Sequence, residues 1–149
     1  MNGSVHATFL PLTAVPPSAA QSFLVAAQGL FDGAEALVVL QPQRPLPCAF
    51  LAAQALEGAL KAFLSHSGFT ERQLKSVGHD LEALWAQAAS KGLAISKEPA
   101  PWCTLLNSSH NKPYYYRYPM GLNGMAFPPL VPMISDLRSI LMSVRGAIR

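Results

Sequence analysis

The groups in this 149-residue chain that could ligate a metal or move a proton are four histidines, two cysteines and eight carboxylates. His6, His66, His79 and His110 each stand alone. None has a second His or a Cys three or four residues away, and no His-Glu-x-x-His occurs. A zinc site would have to be assembled from distant residues, so neither a metal nor another cofactor is expected. Cys48 and Cys103 share no close spacing with each other or with a histidine and read as free, buried thiols of a reducing compartment. There is no Gly-x-x-x-x-Gly-Lys phosphate loop and no Gly-x-Ser-x-Gly nucleophile elbow.

Two constellations remain. Gln54, Glu57 and Lys61 recur at steps of three and four beside an apolar stripe, and Glu57 and Lys61 form an i,i+4 pair in the favourable order. His79 and Asp80 open a later helix. If the two helices pack together, Glu57 or Lys61 meets His79 or Asp80. Such a cluster either fixes helix register or holds a ligand. The second constellation is His110-Asn111-Lys112-Pro113-Tyr114-Tyr115-Tyr116-Arg117-Tyr118-Pro119. Basic and aromatic residues interleaved in this way can stack bases and hold phosphates. The same tyrosines can instead pin a loop onto a bundle. Arg138, Arg145 and Arg149 share one flank of the last helix and read as a solvated edge.

The elements that must carry these groups are helical. Met1 to Val15 lacks helical periodicity and reads as an extended lead-in. Pro16-Pro17-Ser18 opens a first helix with Phe23, Ala27, Leu30, Phe31, Ala34 and Leu37 on one face. A second helix runs from about Leu46 to Ser65. Thr70 and Gln73 form a capping box that starts a short helix over Glu71 to Val77, which Gly78 ends. A further helix starts near His79-Asp80 and stops at Lys91-Gly92. Ser96 to Pro132 reads as one long Pro/Tyr-rich loop, and a last helix follows from Ser135. No strand alternation is present. The expected architecture is a single all-α domain over 1–149, an up-and-down antiparallel bundle of four to five helices.

Composition bounds the partners. Half of the residues are hydrophobic and only 13% are charged, against about 25% in ordinary soluble domains. A chain with so little polar surface is expected to pair with a second copy or a partner. The charge-poor stretches Met1 to Phe31 and Pro119 to Ser135 are the expected interface. Prolines and polar residues interrupt both, so neither reads as a membrane span. No basic n-region precedes an apolar core, so a cytoplasmic protein is expected. The net charge of +3 is uneven. Up to His66 two basic residues face three acidic ones, and from Ser67 on nine face five. That bias is too mild for a DNA-binding patch.

Ala53-Gln54-Ala55-Leu56-Glu57-Gly58-Ala59-Leu60-Lys61-Ala62-Phe63-Leu64, then Gly68, then Gly78-His79-Asp80-Leu81-Glu82-Ala83-Leu84, then Tyr116-Arg117-Tyr118-Pro119 together resemble the HEPN (higher eukaryotes and prokaryotes nucleotide-binding) domain family. The likeness covers roughly residues 46 to 149, and residues 1 to 45 lie outside it. It implies a helical bundle, commonly a homodimer, that binds nucleotides, accompanies a nucleotidyltransferase, or acts as a metal-independent RNase in toxin–antitoxin systems. The RNase members carry an Arg followed after four to six residues by a His. Arg72 and His79 have that spacing, which gives the alternative reading of an RNase. In the resemblance His79 falls on the His-Asp-Leu helix start rather than on the RNase histidine. The leading expectation is therefore a non-catalytic module that dimerises and binds a partner protein or a nucleotide-like ligand, with Gln54, Glu57, Lys61, His79, Asp80, Tyr116 and Arg117 as candidate contacts; RNA or nucleotide binding through Tyr114 to Tyr118 is a further alternative.

Overall fold

The computed structural model describes residues 15–149, and most of the expected N-terminal lead-in lies outside them. Six helices follow in order: α1 Ala19–Val38, α2 Pro45–His66, α3 Glu71–Val77, α4 Leu81–Ser90, α5 Pro101–His110 and α6 Leu130–Ala147. No strand occurs among the described residues, so the fold is all-α. Local chemistry starts α1 and α3 where it was expected to. The Ser18 side chain accepts from the Gln21 amide, and Gln21 returns a bond to the Ser18 amide. Thr70 and Gln73 form the same reciprocal pair ahead of α3. Each pair satisfies two N–H groups that a helix start leaves without partners.

Helix α2 is the hub, packed against every other helix. Its sequence suits that place. Ala49, Ala52, Ala53, Ala55, Ala59 and Ala62 are fully buried small residues on several faces, so neighbours approach closely on all sides. Gly58 lets α1 approach closely. A Cβ added there would lie 3.1 Å from the Ala27 Cβ. Leu56, Leu60 and Leu64 fill the remaining space and are completely buried, each contributing about 1.5–3 kcal/mol. By length and composition α2 is also apolar enough to cross a membrane, yet 67% of its most apolar window is buried within the protein.

The structure departs from the expected pattern at two places. The segment expected as one loop from Ser96 to Pro132 contains α5, which brings the helix count to six. Its inward face mixes Trp102, Cys103 and Leu106 with Asn107, Ser109 and His110, so the apolar periodicity that marks a helix is broken by polar residues with buried partners. Helix α6 begins at Leu130 rather than Ser135. Pro132 lies in its first turn, where a missing N–H leaves no hydrogen bond unmade. Arg138 and Arg145 are exposed, as expected of a solvated edge, and both also reach α1. Arg138 donates to Glu35 and lies over the Phe31 ring, and Arg145 donates to Gln28, so both tie α6 to α1.

Both cysteines are free and buried. Burial raises the Cys48 thiol. Burial, with the nearby Glu82 and Asp80 carboxylates, pushes Cys103 up to about 12. Thiolate is the reactive form. Both residues are therefore expected to resist a chromogenic disulfide reagent in the native protein and to react at the full count of two in denaturant, which a colorimetric thiol assay reads directly.

Candidate functional site

The polar row on α2 turns inward at Glu57 and Lys61. Both residues are buried although both are ionisable, which is tolerable only with partners. Lys61 Nζ donates to Glu57 Oε1 at 2.7 Å. The other carboxylate oxygen, Oε2, faces two imidazoles, His110 Nε2 at 2.6 Å and His79 Nδ1 at 3.0 Å. His79 Nδ1 is also 3.1 Å from Oε1. Three separate elements thus converge on one carboxylate: the body of α2, the turn between α3 and α4, and the last residue of α5.

Burial alone would raise the Glu57 carboxyl, but hydrogen bonds from His110, Lys61 and His79, together with the Lys61 charge, outweigh it and bring it to about 2. Glu57 is therefore ionised and can only accept. The imidazole nitrogens facing it carry the protons, so a neutral His79 presents a bare Nε2 and a neutral His110 a bare Nδ1. Access is unequal. The His79 side chain is 35% exposed, whereas that of His110 is 2% exposed.

The turn before α4 is built to aim His79. Gly78 adopts φ 68° and ψ −125°, a conformation open to glycine and strained for other residues. Replacing Gly78 by Ala is expected to destabilise the protein by about 1–2 kcal/mol through that strain, read as a lower urea midpoint. On the other side Tyr114 packs edge-on against His79, ring centroids 5.8 Å apart. Tyr114 has φ 65°, which a bulky side chain rarely adopts. The His79 and His110 rings meet at right angles, 5.9 Å apart.

Of the residues singled out in the sequence, the structure brings together Glu57, Lys61 and His79. Asp80 turns the other way. It caps α4 by accepting from the Ala83 amide and accepts a second bond from Asn107 Nδ2. Gln54 is half-buried and forms no side-chain hydrogen bond among the described residues. Tyr116 packs edge-on against Phe50 at 6.3 Å. Its hydroxyl is buried without a partner, and burial raises it to about 12. Leu46, Pro47, Phe50, Leu51 and Tyr116 line a shallow apolar groove. Arg117 is exposed beyond it.

No protein-family model, curated protein or solved structure matches the chain. The site is therefore read from its geometry. Arg72 is exposed on α3, on the far side of the Gly78 turn, and makes no hydrogen bond or ion pair among the described residues. His110, which the sequence places only in the basic and aromatic strip, carries the site through Glu57, and Asn107, which the sequence does not single out, braces the start of α4 beside it. A signal for α5 was present: Trp102, Cys103, Leu106 and His110 follow Pro101 at helical spacing.

Proposed function

We propose that the chain is a non-catalytic, HEPN-like helical bundle of up-and-down, antiparallel design. In this reading it forms a homodimer and binds a phosphate-bearing, nucleotide-like ligand or a partner protein such as a nucleotidyltransferase. The observation that carries the reading is the convergence of Lys61, His79 and His110 on the single Glu57 carboxylate, open to solvent at the His79 edge and walled by Tyr114. Phe50 and Tyr116 offer aromatic surface for a base about 10 Å further along α2. Exposed Val15, Val25, Val39, Leu40, Met120 and Val131 supply apolar surface for pairing, partly within the charge-poor stretches.

Titration of the protein with adenine nucleotides in the presence of a chelator tests the ligand. Saturable binding that weakens with salt and is lost in His79→Ala supports it, and no binding by the folded protein overturns it. Light scattering at micromolar concentration tests the pairing, a monomer being the contrary result. Cleavage of labelled RNA by the wild type but not by His79→Ala would replace the binding role with an RNase.

A further inference from the structure

The same cluster has the composition and shape of a metal centre. Glu57, His79 and His110 each offer one ligand atom, and the three atoms lie within 4.8 Å of one another. Two imidazoles and one carboxylate are a ligand set that suits Zn²⁺ or a similar first-row divalent ion with a fourth position open. The residues come from α2, the α3–α4 turn and the end of α5, so the folded protein holds them in place without any sequence motif.

We propose that Glu57 Oε2, His79 Nδ1 and His110 Nε2 bind a divalent transition-metal ion, Zn²⁺ being the best match. Three features support the assignment. First, the two carboxylate oxygens are already divided in role. Lys61 holds Oε1, while Oε2 faces both rings. A carboxylate fixed through its second oxygen is the outer-shell support that ligating carboxylates use. Second, the rings are held at right angles to each other, and Tyr114 fixes the outer one from a strained backbone position of the kind that collects at functional sites. Third, Glu57, Lys61 and His110 are buried while His79 is partly open, so a small ion can enter from one side and whatever completes its coordination must come from that side.

The proton balance closes without a co-reactant. In the empty cluster the nitrogens facing Glu57 carry the ring protons. On metal binding each neutral imidazole moves its proton to its other nitrogen, Nε2 of His79 and Nδ1 of His110. This frees a lone pair toward the ion, and Oε2 contributes its existing negative charge. The fourth position is left for water or for an oxygen of a bound anion.

The experiment is titration of Co²⁺ and Zn²⁺ into metal-free full-length protein, with no nucleotide present. One equivalent per chain is expected, with visible Co²⁺ absorption of low-coordinate intensity that Zn²⁺ abolishes, and a raised melting temperature with Zn²⁺. His79→Ala removes a ligand that is partly exposed, so the fold should survive, as circular dichroism checks. Its affinity should fall by at least about tenfold, since loss of outer-shell support alone has that effect. His110→Ala should fall likewise, while Lys61→Met, which removes only the outer-shell support of Glu57, should still bind one ion per chain but about tenfold more weakly. Absence of binding by the folded wild type, or binding undiminished in both histidine variants, overturns the proposal. Because nucleotide binding is measured under chelator and metal binding without nucleotide, either can fail while the other stands.

Discussion

Replacing Glu57 by Ala is expected to be among the most damaging single substitutions outside the leucine core, lowering folding stability by about 3–5 kcal/mol, the range for breaking a buried ion pair by removing one partner. The reason is what the change leaves behind. Lys61 would remain a buried ammonium with no counter-ion, and His79 and His110 would each lose the acceptor they face. Lys61→Met should be milder. Glu57 would keep two imidazole donors, and the lost bond is one to a charged group, worth about 1.5–3 kcal/mol. Urea unfolding with unchanged slope would establish that the native state, not the denatured one, carries the difference. The pH dependence has the same origin. The Glu57 carboxyl is lowered from an ordinary 4.5 to about 2 in the folded protein. A depressed carboxyl stabilises the fold above the unfolded value, and that contribution fades as pH falls from 4.5 toward 2. The lost contribution is about 3 kcal/mol. Glu57→Gln, which has no charge to lose, should flatten that acid limb. An unchanged limb would show that other carboxylates drive acid unfolding.

What was legible in the sequence was what is local. Pro16-Pro17-Ser18 and the Thr70–Gln73 capping box announce helix starts because each signal is satisfied within a few residues. Glycines at 78 and 92, both at positive φ, mark stops for the same reason. Half of the polar cluster was legible as well. Glu57 and Lys61 lie one turn apart on a helix whose other faces are apolar, and a histidine opening a later helix is a natural partner. The remainder depended on contacts across long separations. His110 meets Glu57 across 53 residues, and no spacing rule reaches that far. Helix α5 was hidden because its buried side carries polar groups whose partners belong to α2 and α4. Asp80 was paired with the wrong neighbour. Its short side chain is committed to its own helix start, leaving the longer reach of His79 to meet α2. The low charge content acquires a location too. Two of the few charged side chains, Glu57 and Lys61, are withdrawn from the surface into the interior.

Asn107 is the second position where a large effect is expected, because it couples α5 to the helix start that carries His79. Its Oδ1 accepts from the Leu81 amide at 2.8 Å. Its Nδ2 donates to Asp80 Oδ1 and to Glu82 Oε2, both at 3.1 Å. One buried amide therefore satisfies the first N–H of α4 and two carboxylates in its first turn, beside a further bond from Thr104 to Glu82. Replacing Asn107 by Leu keeps the volume and removes every one of these bonds. The Leu81 N–H would be left buried without an acceptor, at about 1–3 kcal/mol, and the bonds to ionised carboxylates would add to that. A total of about 2–4 kcal/mol follows from those two contributions. Asn107→Asp separates them. It preserves the acceptor for Leu81 but sets a third carboxylate against Asp80 and Glu82, so its destabilisation should shrink at acid pH as these groups protonate. The Leu variant's should not shrink in that way. Such a crossover in urea midpoints between neutral and acid pH would show that the α4–α5 junction is held by this amide. Loss of metal or anion binding in Asn107→Leu, with the fold retained, would show that the junction also aims His79.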